Sequence, residues 1–135
     1  MKKILIVICV FIISACSSDS NNTQSSLISG TWSYIVPATQ CSESYTFNSD
    51  NTVRITALDE IIDGTYTFSS QTNSSNRHAL SITTISDNQL PDCEGSNDDD
   101  SNLVLDIFVE FKTQTEMDWY VQSAGGDVLI TLNKN

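Results

Sequence analysis

One histidine, four cysteines and 17 acidic side chains are the groups through which this 135-residue chain could do chemistry. His78 is the single imidazole, and a lone histidine at the expected start of a strand reads as a structural residue. No Gly-x-Ser-x-Gly, no His-Glu-x-x-His and no phosphate-binding glycine loop occurs, so nucleophilic, zinc and nucleotide chemistry lack their parts. Paired carboxylates can transfer protons, but 17 acids in a small chain make some accidental pair inevitable. The densest acids fall in 87–102, where Asp92, Glu94, Asp98, Asp99 and Asp100 are joined by Gly95, Asn97 and Ser101. Calcium takes six to eight oxygens, which makes Asp98, Asp99 and Asp100 weak candidates; the spacing is not that of an EF-hand, and a solvated acidic loop is the simpler reading. The expectation is a non-enzyme with no cofactor.

The chain opens with Lys2 and Lys3, then ten apolar residues from Ile4 to Ile13, then Ser14, Ala15 and Cys16. That is the layout of a secretory leader. Ten residues reach only about 15 Å as a helix, roughly half a bilayer core, so a permanent span is the weaker reading. Ile13-Ser14-Ala15-Cys16 resembles the lipobox of bacterial lipoproteins. The resemblance implies cleavage before Cys16, acylation of its thiol, and a membrane anchor carried by lipid. Two or three acyl chains hold a protein on a membrane essentially permanently. Ser17 and Ser18, in place of an Asp after the cysteine, favour the outer membrane, with the protein facing the periplasm. The expected organisation is a leader at 1–15, a lipidated cysteine and flexible tether at 16–29, and one folded domain at 30–135.

Loss of the leader removes two lysines and leaves Arg54, Arg77, Lys112 and Lys134 against all 17 acids, a net charge near −13. Nucleic acid and anionic lipid surfaces would be repelled, so no nucleic-acid partner is expected, whereas a basic partner or a cation is electrostatically easier. With Cys9 in the leader and Cys16 lipidated, Cys41 and Cys93 remain. In an oxidising envelope they read as one disulfide, which chain entropy values at roughly 4 kcal/mol. A metal pair is the rival reading, although two distant thiols and a single histidine make a poor ligand set.

From Gly30 onward the apolar pattern has a period of two, and no segment long enough for a helix carries a 3.6-residue stripe. Eight strands are expected at 30–36, 44–48, 52–58, 65–69, 78–85, 103–112, 116–122 and 128–133. Hairpin register tests this reading, because inward residues must pair with inward residues. A turn at Ser49-Asp50-Asn51, with Asn51 left-handed, puts Tyr45 opposite Ile55 and Phe47 opposite Val53. A Thr113-Gln114-Thr115 loop pairs Phe111 with Met117, Val109 with Trp119 and Ile107 with Val121. A two- or four-residue turn within Ser123-Ala124-Gly125-Gly126 pairs Trp119 with Ile130 and Met117 with Leu132. The fold class is therefore all-β, an eight-stranded antiparallel up-and-down barrel whose closure removes edge strands.

Gly30-Thr31-Trp32, followed by Cys41, SYTFNSDNTV and DGTYTF, resembles the lipocalin-like domains of small bacterial lipoproteins. The resemblance implies that Trp32 plugs the closed end and that Lys134, late in the last strand, packs on it. Eight aromatics (Trp32, Tyr34, Tyr45, Phe47, Tyr66, Phe68, Phe111, Trp119) share the inward phase, so the core should be mostly filled and any pocket shallow. On the outward phase Phe108 faces Tyr120 and Glu110 faces Asp118. Phe108 and Tyr120, with Trp119 and Trp32, are the candidate ligand or partner surface. Two functions follow. One is a binding lipoprotein taking a small apolar ligand or an envelope component. The other is a protein-binding module, because size, anchor, disulfide and acidity also resemble membrane-bound lysozyme inhibitors, which implies a basic enzyme as partner.

Overall fold

Alternating side chains bury one face of each strand, and the chain closes that face on itself. The computed structural model describes residues 25–135, so the leader, Cys16 and most of the tether lie outside the described residues. A single turn of helix, α1 (Ser25–Ile28), leads into β1 (Gly30–Ile35), β2 (Ser42–Phe47), β3 (Thr52–Ala57), β4 (Glu60–Thr72), β5 (His78–Asp87), β6 (Val104–Phe111), β7 (Glu116–Tyr120) and β8 (Ile130–Lys134). The strands form a closed antiparallel barrel in sequence order, with β8 returning to β1.

The register is the one the alternation demands. Tyr45 pairs with Ile55, Phe47 with Val53, Phe111 with Met117, Val109 with Trp119, Trp119 with Ile130 and Met117 with Leu132. Asn51 takes the left-handed conformation at φ 65°. The 113–115 loop manages without Gly or Asn because the Thr113 hydroxyl accepts the Thr115 amide at 3.1 Å.

The largest departures from the expected strands fall at β4 and around the β7–β8 turn. β4 starts at Glu60, five residues earlier than its apolar content indicates, through a two-residue Leu58-Asp59 turn in which Leu58 adopts φ 56°. β7 stops at Tyr120, so Ile107 and Val121 do not pair. The following turn is not confined to 123–126: residues 121–129 form a long loop, with Gly125 and Gly126 at positive φ. Arg77 and Asn73 hold this loop, Arg77 Nη1 donating to the carbonyls of Gln122 and Gly125 at 2.7 Å each and Asn73 Nδ2 to the Ser123 carbonyl at 2.7 Å.

In an up-and-down barrel alternate turns share an end. The closed end gathers α1 and the β2–β3, β4–β5 and β6–β7 turns. Trp32 fills it, fully buried, donating its indole N–H to the Ile28 carbonyl at 2.7 Å and packing on Phe111 at 5.8 Å. Lys134 Nζ lies 5.0 Å from the Trp32 ring centre. It crosses Gly30, where φ is +113° and a Cβ would come within 3.0 Å of the lysine chain. His78 starts β5, stacks on Phe68 at 5.1 Å and sets its Nδ1 2.9 Å from the Ser69 carbonyl. It is a core histidine.

Candidate functional site

The opposite end, the mouth, is built differently. β6 residues 104–107 pair with β5 but with nothing on their other side, because β7 begins its pairing at Phe108. β8 meets β1 only at Trp32 and Ser33. The wall is therefore low between β6 and β1, and Leu105, on the inward phase, is 40% exposed. Below this notch lies a cavity of about 370 Å³. Its walls are Tyr45 and Glu43 of β2, Ile55 and Ala57 of β3, Glu60 and Ile62 of β4, Ile82 and Thr84 of β5, and Leu105 of β6. Asp92, Asp100, Leu103 and Val104 complete its rim. The volume falls within the range of about 300–1,000 Å³ of small-molecule sites.

The disulfide positions that rim. Cys41 and Cys93 are joined, with Cα atoms 5.4 Å apart, which ties the 88–103 loop to the end of the β1–β2 turn. Val36, Ala57 and Cys93 pack beneath it as a small core of their own. The Asp59 amide donates to the Pro91 carbonyl at 3.2 Å and the Asp100 amide to Asp87 Oδ2 at 2.8 Å. Thr84 Oγ1 donates to the Asp100 carbonyl and accepts from the Leu103 amide at 2.8 Å. The acidic loop is thus fastened across the mouth at both of its ends.

The electrostatics centre on Glu60. It is 7% exposed, it lines the cavity, and no hydrogen bond or ion pair reaches its carboxylate among the described residues. Burial, and then Asp87, Asp92, Asp100 and Glu43, push its pKa up to about 7. Asp100 is raised in the same sense, by burial and the neighbouring aspartates. Glu43 accepts the Tyr45 hydroxyl at 2.9 Å, and burial together with Glu43 raises the Tyr45 phenol. No lysine or arginine lines the cavity. The four in the described residues are held elsewhere: Arg54 on Asp63, Lys112 on Glu110, Arg77 on Tyr120 and Lys134 on Trp32.

The residues singled out from sequence fall in other places. Trp32 and Trp119 are 0% and 1% exposed, both in the main core and neither lining the cavity. Tyr120 is also buried, because the Arg77 guanidinium lies 3.4 Å over its ring and the 121–129 loop covers both; Phe108 beside it is half-buried. The Phe108–Tyr120 pairing is present; Arg77 lies over Tyr120, whereas Phe108 is half-buried and lines a groove on the outer wall with Ala79, Ser81 and Asp106. Glu110 and Asp118 are opposite as expected, and Lys112 relieves them at 2.9 and 3.7 Å. Asp98 accepts Ser96 Oγ and Asp99 the Ser101 amide, and among the described residues no group of three His, Cys, Asp or Glu is arranged to hold a metal. Tyr45 connects core and site: it lines the cavity and meets Trp119 edge-on at 4.9 Å. Trp119 Nε1 behind it is buried without a hydrogen-bond partner among the described residues.

Glu60 escaped the sequence reading because the turn before it carries Leu where a glycine or asparagine is usual. The available signal was the inward phase itself, which runs back from Phe68 through Tyr66, Gly64 and Ile62 to Glu60. Comparison of the chain with protein-family models, curated proteins and solved structures finds no match.

Proposed function

We propose that this chain is a non-enzymatic binding lipoprotein of the bacterial envelope, a lipocalin-like barrel that takes a small ligand with an apolar body at its mouth. The observation that carries this reading is the cavity of about 370 Å³ at the mouth, walled by Ile55, Ala57, Ile62, Ile82 and Leu105. Support for the lipocalin likeness comes from Gly30, Trp32 and Lys134, whose packing at the closed end is the one the resemblance implies. The lipobox at Ile13 to Cys16 supports the anchor and the placement at the outer membrane. Glu60 has its pKa pushed up to about 7, and proton transfer would need a second group poised against a substrate. A binding role makes no such demand.

A second reading, a module that recognises a basic protein, has the acidic rim in its favour: Asp92 and Asp100 at the mouth with Asp98 and Asp99 outside it. Native mass spectrometry of the purified full chain separates the two. A retained small molecule, lost on substituting Ile62→Trp to fill the cavity, supports the first. An empty barrel that captures a basic protein at low salt, undisturbed by Ile62→Trp, contradicts it and supports the second.

A further inference from the structure

Apolar walls and a buried, unpartnered carboxylate at the same cavity constrain the ligand further. Glu60 is more than nine-tenths buried and faces the cavity with no donor of its own. Glu43, Asp92 and Asp100 line the same space, and Asp87 stands behind them holding the Asp100 amide. A carboxylate drawn largely out of bulk water without a partner is destabilised in its charged form, and like charges gathered around it add to that cost. Among the described residues no cation relieves it, since each lysine and arginine there is engaged on another surface. A proton or a ligand must do so. A bare metal ion fits poorly, because the carboxylates stand around the walls and do not converge as a ligand set.

We infer that the ligand is an organic cation, a protonated amine on an apolar body, with its ammonium held by Glu60 and the rim acids and its body against Ile55, Ile62, Ile82 and Leu105. The inference rests on the binding reading above and names its substrate class. Two consequences follow from the placement. Neutral molecules of the same shape leave Glu60 unsatisfied and bind more weakly, and anions are rejected by every charged group at the mouth. Affinity also depends on pH. The groups facing Glu60 are Glu43 and Tyr45 from β2, Asp87 from β5, and Asp92 and Asp100 from the loop, all of them acids; no basic side chain moderates its titration. As pH falls through the range where Glu60 takes up a proton, the amine loses its counter-charge and is released.

The test uses the full chain in nanodiscs of zwitterionic phosphatidylcholine and three probes sharing one body: 2-naphthylmethylamine, 2-naphthylmethanol and 2-naphthoate. Calorimetric titration at pH 7.5 is expected to give the amine an affinity about tenfold above the alcohol, with the carboxylate weakest. Glu60→Gln should reduce the amine about tenfold and leave the alcohol unchanged. In the wild type the amine's advantage should shrink as the pH is lowered to 5, and in Glu60→Gln it should not. Equal binding of amine and alcohol, or an amine preference that Glu60→Gln does not touch, overturns the cation inference while leaving an apolar-ligand site standing. If none of the three binds, the binding reading falls with it.

Discussion

The two ends of this barrel are made of the same strands and obey opposite rules. At the closed end each large group meets a partner: Trp32 has the Ile28 carbonyl and Lys134, His78 has Phe68 and the Ser69 carbonyl, and Phe111 sits among all three aromatics. At the mouth, burial comes without satisfaction. Glu60 is buried with no partner for its carboxylate among the described residues, Asp100 is pushed toward its neutral form, and Leu105 stays half in water. Closed barrels of this size have a small, shared core, so order invested at one end leaves the other free to carry unmet charge. The closed end accounts for the fold, and the proposed function rests on the mouth.

The largest expected effect lies at the closed end. Trp32→Ala removes the plug and strands the Ile28 carbonyl, and should lower the free energy of unfolding by up to about 5 kcal/mol in urea titration. Ile62→Ala, also buried but walling an existing cavity, should cost about 2 kcal/mol. Equal losses would erase the distinction between the ends. Replacing both Cys41 and Cys93 by Ser should cost somewhat less than the Trp32 change, roughly 3–4 kcal/mol. Its more telling result is local: hydrogen exchange should quicken across 88–103 while Trp32 and its neighbours keep their protection.

Glu60→Gln should act in the opposite direction. The carboxyl has a folded pKa of about 7 against an ordinary value of 4.5. Both states hold the proton below about 4.5, so the burial of Glu60 costs nothing there; as pH rises to about 7 the unfolded chain sheds it first and folding stability declines. The variant should therefore be more stable than the wild type at pH 8, by on the order of 2 kcal/mol, and indistinguishable from it at pH 4. A variant that is destabilised at pH 8 would mean that the charged Glu60 has a partner after all. The smallest effect is expected at the neighbouring turn, where Leu58 holds φ 56° against its preference. Leu58→Gly should raise stability by roughly 0.5–1 kcal/mol, read as a shift in melting temperature.

Much of this was legible in the residues. Asn51 and the paired phases of Tyr45, Phe47, Ile55 and Val53 determine the β2–β3 register, because a slip of one residue would turn the whole face outward. Trp119, Met117 and their partners do the same for β6 to β8. The mouth was harder for physical reasons. A local pattern shows that a side chain points inward, but not whether charge complements it there, and Glu60 reads as an interruption of an apolar strand instead of its first inward residue. Arg77 was invisible for another reason: one side chain, acting on carbonyls 45 and 48 residues away, holds the 121–129 loop and lies over Tyr120. The acids of the 88–103 loop drew attention to Asp98 and Asp99 by density, whereas the tether at Cys93 and the Thr84 contacts select Asp92 and Asp100 for the rim.

The most direct test is the titration of Glu60 itself, followed by carbon NMR of the full chain labelled at the glutamate carboxyls, with the Glu60 signal identified by its absence in Glu60→Gln. The expected result is a midpoint near 7 in the free protein, moving toward the ordinary carboxylate range when 2-naphthylmethylamine is added and staying in place with 2-naphthylmethanol. A midpoint at about 4.3 in the free protein, unmoved by the amine, would contradict the account.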